Sequence, residues 1–273
     1  MSNRLPTGAP PADADIDDAD TAEESRPTEK GAVVPQDRPL SSRRNRLLVA
    51  LSPADLSLLA PHMKDFVLEQ GSILQEQGER IDHVYFPHTG IISLVTVMQQ
   101  GDAIETATVG REGAVGSLAG LGPRRSHTRD VVQVTGTASR IPAAQFRKAA
   151  EKSAAIRDVI VRYGEMLLIQ VQQTAACNAL HGVEERLSRW LLQARDRVDG
   201  NTILLTHEFL SQMLGVRRPT VTVVARMLQD AGLIRYHRGH IEILDRPGLE
   251  ARACECYAVI RQQINRVTPA SRS

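Results

Sequence analysis

The stretch from Thr206 to Leu228 constrains the fold of this chain more than any other. It is typical of two short amphipathic helices joined at Gly215, because glycine readily adopts the left-handed conformation that ends a helix. Thr206 suits the N-cap of the first helix, and Pro219 suits the first turn of the second, where its missing N–H costs nothing. Apolar side chains on both segments can pack together. This spacing predicts a helix-turn-helix.

The second of these helices would present arginine and threonine outward. An arginine fork can contact guanine edges or phosphates, and threonine offers a hydroxyl and a methyl group. These residue types predict a DNA-contacting surface. Its candidate residues are Thr206, Arg217, Arg218, Pro219, Thr220, Thr222, Arg226 and Arg238.

Residues 232–244 alternate polar and apolar side chains around Gly239, which predicts a β-hairpin wing after the second helix. Basic side chains on this hairpin can reach phosphates. Residues 206–240 contain five arginines against two acids, a local charge of +3 that the whole-chain net charge of +1 does not reveal. The basic side chains of the wing are Arg235, His237, Arg238 and His240.

The region before this module is β-like between about Lys64 and Ile141, after a helical candidate at Leu47–Ala60. Short apolar runs are separated by glycines at even intervals, which favours a β-sandwich or barrel-like roll. The glycines are Gly71, Gly78, Gly90, Gly101, Gly110 and Gly136.

After Pro142 the pattern becomes helical, with a short helix at Ala143–Glu151 and a long one from Ser153 to Leu180. Apolar and amide side chains of the long helix recur in steps of three and four, which favours pairing with a second copy of the chain. The alternative is a helix packed on its own domain. The predicted dimer interface contains Ile156, Val159, Tyr163, Met166, Gln170 and Gln173.

The N-terminal 40 residues carry nine acidic and four basic side chains and almost no large apolar ones. Such a composition cannot offset the entropy of ordering the backbone, so a disordered arm is expected. The predicted domains are then the arm 1–43, a β-roll sensor domain 44–152, a dimerisation helix 153–181, a winged helix-turn-helix domain with a C-terminal helix 182–266, and a tail 267–273.

The three cysteines form no Cys-x-x-Cys pair, which favours a reducing compartment. No apolar stretch reaches the length of a membrane span or a signal peptide, so a cytoplasmic protein without membrane contact is expected. Cys254 and Cys256 are predicted to lie on one helix, 247–266, where their thiols would point in different directions. We therefore predict no metal site and a buried or incidental role, with redox sensing or metal binding as the alternative. Small-residue packing is expected for Cys177, with oxidation across a dimer axis as the alternative.

The order of β-roll, long helix and winged helix-turn-helix resembles the bacterial Crp/Fnr transcription regulators. The resemblance covers about Leu47 to Leu244 and is most specific in residues 205–222, Leu228 and 232–234. It implies an α+β fold with a jelly-roll-like β-roll (double-stranded β-helix). It also implies a homodimeric, sequence-specific regulator that is not an enzyme and that binds pseudo-palindromic double-stranded DNA. RNA polymerase is a further partner that the resemblance suggests.

Residues 115–121 and the Arg125–Ser126 pair resemble the phosphate-binding cassette of cyclic-nucleotide sensors. Ser117 stands where nucleotide-binding members carry an acid for the ribose hydroxyls. A serine cannot supply a charged bidentate acceptor, so cyclic AMP is not the expected effector. The β-roll then senses an unidentified effector or serves as a scaffold, with Glu112 as an alternative ribose ligand if the loop is shifted. The candidate effector residues are Gly116, Ser117, Arg125 and Ser126.

The recognition helix departs from the cyclic-AMP-type pattern, which implies a different half-site. Arg218 matches the first arginine of that pattern, whereas Pro219 and Val223 replace its acid and its second arginine. We predict that Arg218 reads a guanine, that Thr220 and Thr222 contact a phosphate or a base edge, and that Arg226 touches the DNA backbone. Phosphate contact alone is the alternative for Arg217, and a solvated helix cap is the alternative for either arginine.

Other cofactors and function classes are weaker fits. An iron–sulfur cluster of the family's oxygen-sensing branch is not expected, because no cysteine precedes Cys177. Haem ligation by His62, His83 or His88 is an alternative to ordinary structural histidines. Two other functions are a cyclic-nucleotide-binding regulatory protein that acts on a partner protein and a cupin-like metalloenzyme. The latter lacks clustered ligands, and no catalytic motif is present, so we predict no catalytic residue.

Overall fold

The computed structural model describes residues 45–122 and 124–268. The predicted acidic arm and most of the predicted tail lie outside these residues. The described residues belong to one compact unit. None of their helices is long and apolar enough to cross a membrane.

The β-roll consists of two antiparallel sheets that enclose an apolar interior. One sheet has the strand order β1-β7-β3 and the other has the order β2-β6-β4-β5. At Gly90 the turn needs glycine, because φ is +86° and an added Cβ would lie 2.6 Å from the carbonyl oxygen of Val134. The strands are β1 (Lys64–Leu68), β2 (Ile73–Gln75), β3 (His83–Pro87), β4 (Ile91–Val97), β5 (Ala103–Val109), β6 (Arg129–Val134) and β7 (Gly136–Pro142).

Five helices flank the roll and lead out of it. The predicted helix Leu47–Ala60 is two helices, because Ser52 caps the second one and Pro53 occupies its first turn. A Ser153 cap also starts the long helix, as its side chain accepts a hydrogen bond from the backbone N–H of Ile156. The helices are α1 (Arg46–Val49), α2 (Pro53–Leu59), α3 (Ala143–Lys152), α4 (Ala154–Leu180) and α5 (Val183–Arg195).

The C-terminal module contains the predicted helix-turn-helix and wing. The Thr206 side chain accepts from the N–H of Phe209 at 3.3 Å, and Gly215 ends the first helix with φ of +60°. A two-residue turn at Arg238 and Gly239 joins the wing strands, both with positive φ as a type I′ turn requires. The elements are β8 (Thr202–Leu204), α6 (His207–Leu214), α7 (Arg218–Asp230), β9 (Ile234–His237) and β10 (His240–Ile243).

The predicted C-terminal helix 247–266 is interrupted, which corrects the placement of two cysteines. Helix α8 (Arg246–Arg252) ends at Ala253, whose backbone is extended, and helix α9 (Cys256–Val267) begins three residues later. Cys254 therefore lies in the connection and not on a helix shared with Cys256. Both are buried, because the break turns this segment inward toward α4 and α5.

Helix α4 packs on its own chain, which corrects the predicted dimer interface. Four of its proposed interface residues are buried within this single chain: Ile156, Tyr163, Met166 and Gln170. The Gln170 amide donates to the Thr108 carbonyl oxygen at 3.1 Å. The predicted seam thus faces the β-roll, since apolar side chains on this face find partners in the same chain.

Buried polar contacts join the β-roll to helix α5 and to the turn that follows it. The Trp190 indole N–H donates to the Glu105 carboxyl group at 3.0 Å, and the Ser93 hydroxyl donates to the other oxygen of that group. Glu112 forms an ion pair with Arg197 at 2.7 Å, with both side chains buried. These contacts fix the start of the C-terminal module against the roll.

Candidate nucleic-acid interface

Helix α7 separates an apolar face from a polar one. Its buried face packs on α5 and α6 through Val221, Val224, Ala225 and Leu228. The opposite face and the N-terminal end are exposed, and they carry Arg217, Arg218, Pro219, Thr220, Thr222, Val223, Arg226 and Met227. The structure therefore brings the predicted DNA-contacting residues of this helix onto one accessible surface.

Arg217 and Arg218 lie at the N-terminal end of α7, as its N-cap and first residue. Within residues 45–122 and 124–268, neither guanidinium forms an ion pair or a side-chain hydrogen bond. By contrast, Arg226 lies 3.8 Å from Asp230, but both side chains are exposed and such a pair is weak. All three arginines are therefore available to an anionic partner.

The Thr222 hydroxyl is already used inside the module. It bonds the Arg218 carbonyl oxygen at 3.1 Å and His207 Nδ1 at 3.0 Å. His207 in turn stacks on Tyr236, with ring centroids 4.3 Å apart. Burial, and secondarily the charge of Arg218, lowers the pKa of His207. His207 thus ties α6, α7 and the wing together, a role that sequence reasoning missed because it depends on contacts among three elements.

The wing exposes Arg238 at its turn. Arg235 instead pairs with Glu242 on the neighbouring strand at 2.8 Å. His237 and His240 are exposed beside the turn. Arg238 is therefore the arginine at the tip of the wing that remains accessible to a phosphate.

The first two cassette residues of the β-roll, Gly116 and Ser117, lie in a tight turn and in the protein interior. Gly116 has φ of +76° and an added Cβ would lie 2.8 Å from the His83 carbonyl oxygen, so the tight turn requires glycine. Ser117 follows it in a short 3₁₀ helix and is buried. The cavity that Ser117 lines measures about 20 Å³ and is otherwise apolar apart from the Tyr163 hydroxyl. A space of this size holds about one water and no nucleotide.

The basic and hydroxyl members of the cassette are occupied by backbone contacts. Arg125 is exposed, and its guanidinium donates to the Gly78 carbonyl oxygen at 2.8 Å. The buried Ser126 hydroxyl donates to the Thr128 carbonyl oxygen at 2.8 Å. Ser117 thus lies in the interior beside the small cavity, whereas Arg125 lies on the surface and bonds the Gly78 carbonyl oxygen.

Glu112 does not take the place of the missing acid. Its carboxylate accepts from the guanidinium of Arg197 and from the Gly110 N–H at 3.1 Å, and it is buried. Burial opposes ionisation, but the charge and hydrogen bonds of Arg197 outweigh it and lower the pKa of Glu112. All of these contacts fall on Oε1, and the burial of the side chain keeps the whole carboxylate away from the surface that a nucleotide would reach.

The histidines considered for haem are ordinary side chains of the β-roll or its surface. His88 is buried, with Nε2 2.9 Å from the Ser139 hydroxyl, and His83 lies near the Tyr85 ring. His62 is exposed after α2.

Comparisons with known proteins match both parts of the chain. Residues 66–153 match the cyclic nucleotide-binding domain family, and residues 185–252 match the Crp-like helix-turn-helix domain family. These two domains define a transcription regulator with a sensor-type β-roll and a DNA-binding helix-turn-helix. The chain belongs to the Crp/Fnr family of transcription regulators.

Solved structures with this architecture come from several bacteria. FixK2 from Bradyrhizobium japonicum is 15% identical, with a TM-score of 0.61 over 70% of this chain and 98% of its own. A putative regulator of the crp/fnr family from Eubacterium rectale is 19% identical, with a TM-score of 0.59 over 75% and 96%. The c-di-GMP responsive regulator CLP of Xanthomonas campestris is 14% identical, with a TM-score of 0.56 over 71% and 100%. These TM-scores support a shared fold. A search of curated proteins finds no match.

Proposed function

We propose that this protein binds a pseudo-palindromic duplex DNA site as a homodimer and that Arg218 reads a guanine in each half-site. The observation that carries the proposal is the exposed guanidinium of Arg218 at the N-terminal end of α7, which has no ion-pair partner among the described residues. That end of a recognition helix meets base edges in the major groove. Half-site centres about 10 bp apart are expected for two such helices.

We assign the other DNA contacts from the exposure and the hydrogen bonds of each side chain. Arg217, Thr220, Arg226 and the wing residue Arg238 are exposed and suit phosphates. Pro219 shapes the first turn of α7 and has no N–H to offer. Thr206 and Thr222 act within the module, because the Thr206 side chain caps α6 and the Thr222 hydroxyl is bonded to His207. We therefore assign base reading to Arg218 rather than to the threonines.

The dimer interface that we propose lies on a different face of α4 from the buried one. Val161 and Leu168 are more than half exposed, although both are large and apolar. Together with Gly164, Val171 and Ala175 they recur in alternating steps of three and four, and none of the five is fully buried within the chain. A second copy of the same helix is the natural occupant of such a seam.

In vitro selection from random duplex DNA tests the assignment of Arg218. The intact protein should recover an inverted repeat, and Arg218→Ala should lose one base preference per half-site and bind the selected site about 10- to 100-fold more weakly. Arg226→Ala is the matched control, which should weaken binding evenly across sequences and reduce the salt slope by about 1. Unchanged base preferences in Arg218→Ala would overturn the assignment.

Sedimentation tests the dimer face independently of DNA. Leu168→Glu should shift the protein toward the monomer, because two buried carboxylates would face each other across the seam. Met98→Glu is the control, since Met98 is equally exposed but lies after β4, away from α4. A Leu168→Glu protein that stays dimeric at the lowest measurable concentration contradicts this interface.

The β-roll is proposed to act without cyclic AMP, either as a scaffold or as a sensor of another effector. The support for this is the buried Ser117 with its small apolar cavity and the bonding of Arg125 to Gly78.

A further inference from the structure

All three cysteines of the chain meet one histidine at a single buried point. Cys177 and His181 come from the C-terminal end of α4, Cys254 comes from the connection between α8 and α9, and Cys256 is the first residue of α9. The three sulfurs and one imidazole nitrogen all lie within 4.8 Å of one another. Each cysteine is buried and His181 is half-buried. Among the residues that the structure describes, no other group of three or more His, Cys, Asp or Glu ligands has this arrangement.

The spacing of these atoms suits a tetrahedral metal ion. Cys177 Sγ lies 3.5 Å from Cys254 Sγ, and Cys256 Sγ lies 3.5 Å from His181 Nδ1. Zinc–sulfur bonds of about 2.3 Å place tetrahedral ligands roughly 3.8 Å apart, whereas disulfide sulfurs are bonded at about 2.05 Å. Three thiolates and one imidazole form the Cys₃His set of closed structural zinc sites.

Polar neighbours orient two of the four ligands. His181 Nε2 lies 3.3 Å from the Glu255 carboxylate, which fixes the ring so that Nδ1 faces the sulfurs. The Gln173 amide donates to Cys256 Sγ at 3.0 Å. A carboxylate behind a ligating histidine and a donor on a ligating thiolate are the usual supports of zinc sites.

Buried positive charge balances the ligand set. Three thiolates, a neutral imidazole and Zn²⁺ together carry a charge of −1. Arg186 and Arg189 on α5 are buried and interact electrostatically with Cys177. Their side-chain Nε atoms have no hydrogen-bond partner within the described part of the chain. A buried anionic metal centre gives these guanidinium groups the opposite charge that burial demands.

We propose that Cys177, His181, Cys254 and Cys256 bind one Zn²⁺ ion, which joins the end of α4 to the connection after α8 and the start of α9. On binding, three thiols each release a proton and the imidazole coordinates as the neutral base. The ion links elements about 75 residues apart in the sequence and holds the C-terminal helices against the long helix. This inference stands on the cluster alone and does not depend on DNA binding.

Elemental analysis of the full chain, purified without an affinity tag or chelator, is the first test. We expect about one zinc per chain, and much less in Cys177→Ser, Cys254→Ser and His181→Ala. His127→Ala is the matched control, because His127 is an exposed histidine on the β-roll and its removal should leave the zinc content unchanged. Glu255→Gln should keep the metal but lower its affinity about 10- to 100-fold.

Cobalt substitution of the wild-type protein avoids any dependence on how the variants fold. Reduced, metal-free protein titrated with Co²⁺ should develop thiolate-to-cobalt charge-transfer bands and the d–d bands of a tetrahedral site, with saturation at one equivalent. Zinc should then displace the cobalt. The proposal fails if the reduced protein carries no metal and Co²⁺ produces no thiolate bands. It also fails if the wild-type spectrum persists in Cys254→Ser.

Discussion

The recognition helix and the β-roll cassette both resemble family motifs, but the chain treats them in opposite ways. At the start of α7, the Arg218 guanidinium is exposed and has no ion-pair or hydrogen-bond partner among the described residues. In the cassette, Ser117 is buried beside a nearly filled apolar cavity and Arg125 bonds the Gly78 carbonyl oxygen. The two regions therefore differ in how far their motif side chains remain free to meet a partner, and we expect a working site only at α7.

The two regions are nevertheless coupled through buried polar groups. Glu105 and Glu112 of the β-roll contact Trp190 and Arg197 at the start of the C-terminal module. Charged and hydrogen-bonding groups at such a depth are costly when one partner is removed. Changes at these residues test whether the roll supports the DNA-binding module.

The largest effect is expected from breaking the buried ion pair. Arg197→Met should lower the free energy of unfolding by about 3–5 kcal/mol, because Glu112 is left as an unpaired buried charge. Urea denaturation followed by Trp190 fluorescence measures this loss. Adding Glu112→Gln should recover part of it.

The exposed pair of Arg80 and Asp82 provides the comparison for that measurement. Arg80→Met should change stability by less than about 1 kcal/mol, as exposed ion pairs contribute little. If both arginine variants lose the same small amount, the two regions are not coupled through Glu112.

A smaller and pH-dependent effect is expected at Glu105. Burial raises its pKa from 4.5 to about 7, against the opposing effects of Ser93, Trp190, Arg189 and Arg197. Its contribution to stability is therefore complete below about pH 4.5 and is lost as the pH rises toward 7. Glu105→Gln cannot ionise and keeps an acceptor for Trp190, so its stability relative to wild type should increase over this range by on the order of 1–3 kcal/mol.

Denaturation curves at several pH values between 4 and 8 measure this difference, with the exposed Glu79→Gln as the control. The control should follow the wild-type pH dependence. A Glu105→Gln protein whose relative stability does not change with pH shows that Glu105 does not titrate as its burial requires.

The smallest effect is expected from cyclic AMP. A nucleotide present at 100 times its dissociation constant would stabilise the fold by about 2.7 kcal/mol, a shift that thermal unfolding detects readily. We expect millimolar cyclic AMP to leave the thermal midpoint unchanged. A clear increase that disappears in Arg125→Ala would show that the cassette binds nucleotide after all and would remove the contrast with α7.

Local signals in the sequence were enough for the DNA-binding module. Thr206, Gly215 and Pro219 each act within one or two helical turns, so the sequence alone predicted the helices and the exposed arginine face. The short strands of the roll followed equally well from glycine spacing, apart from β7, which the apolar runs did not mark as a separate strand. The break at Ala253 had no comparably strong local signal.

The sequence by itself thus determined the order of the elements, the fold class and the face of α7 that points outward, because helix periods, caps and turns depend on neighbouring residues. Only the tertiary structure decided which face of α4 is buried, since both faces carry apolar side chains and the β-roll covers one. It alone also brought Cys177 to Cys254 and Cys256, because that meeting depends on a helix break and on contacts between distant segments.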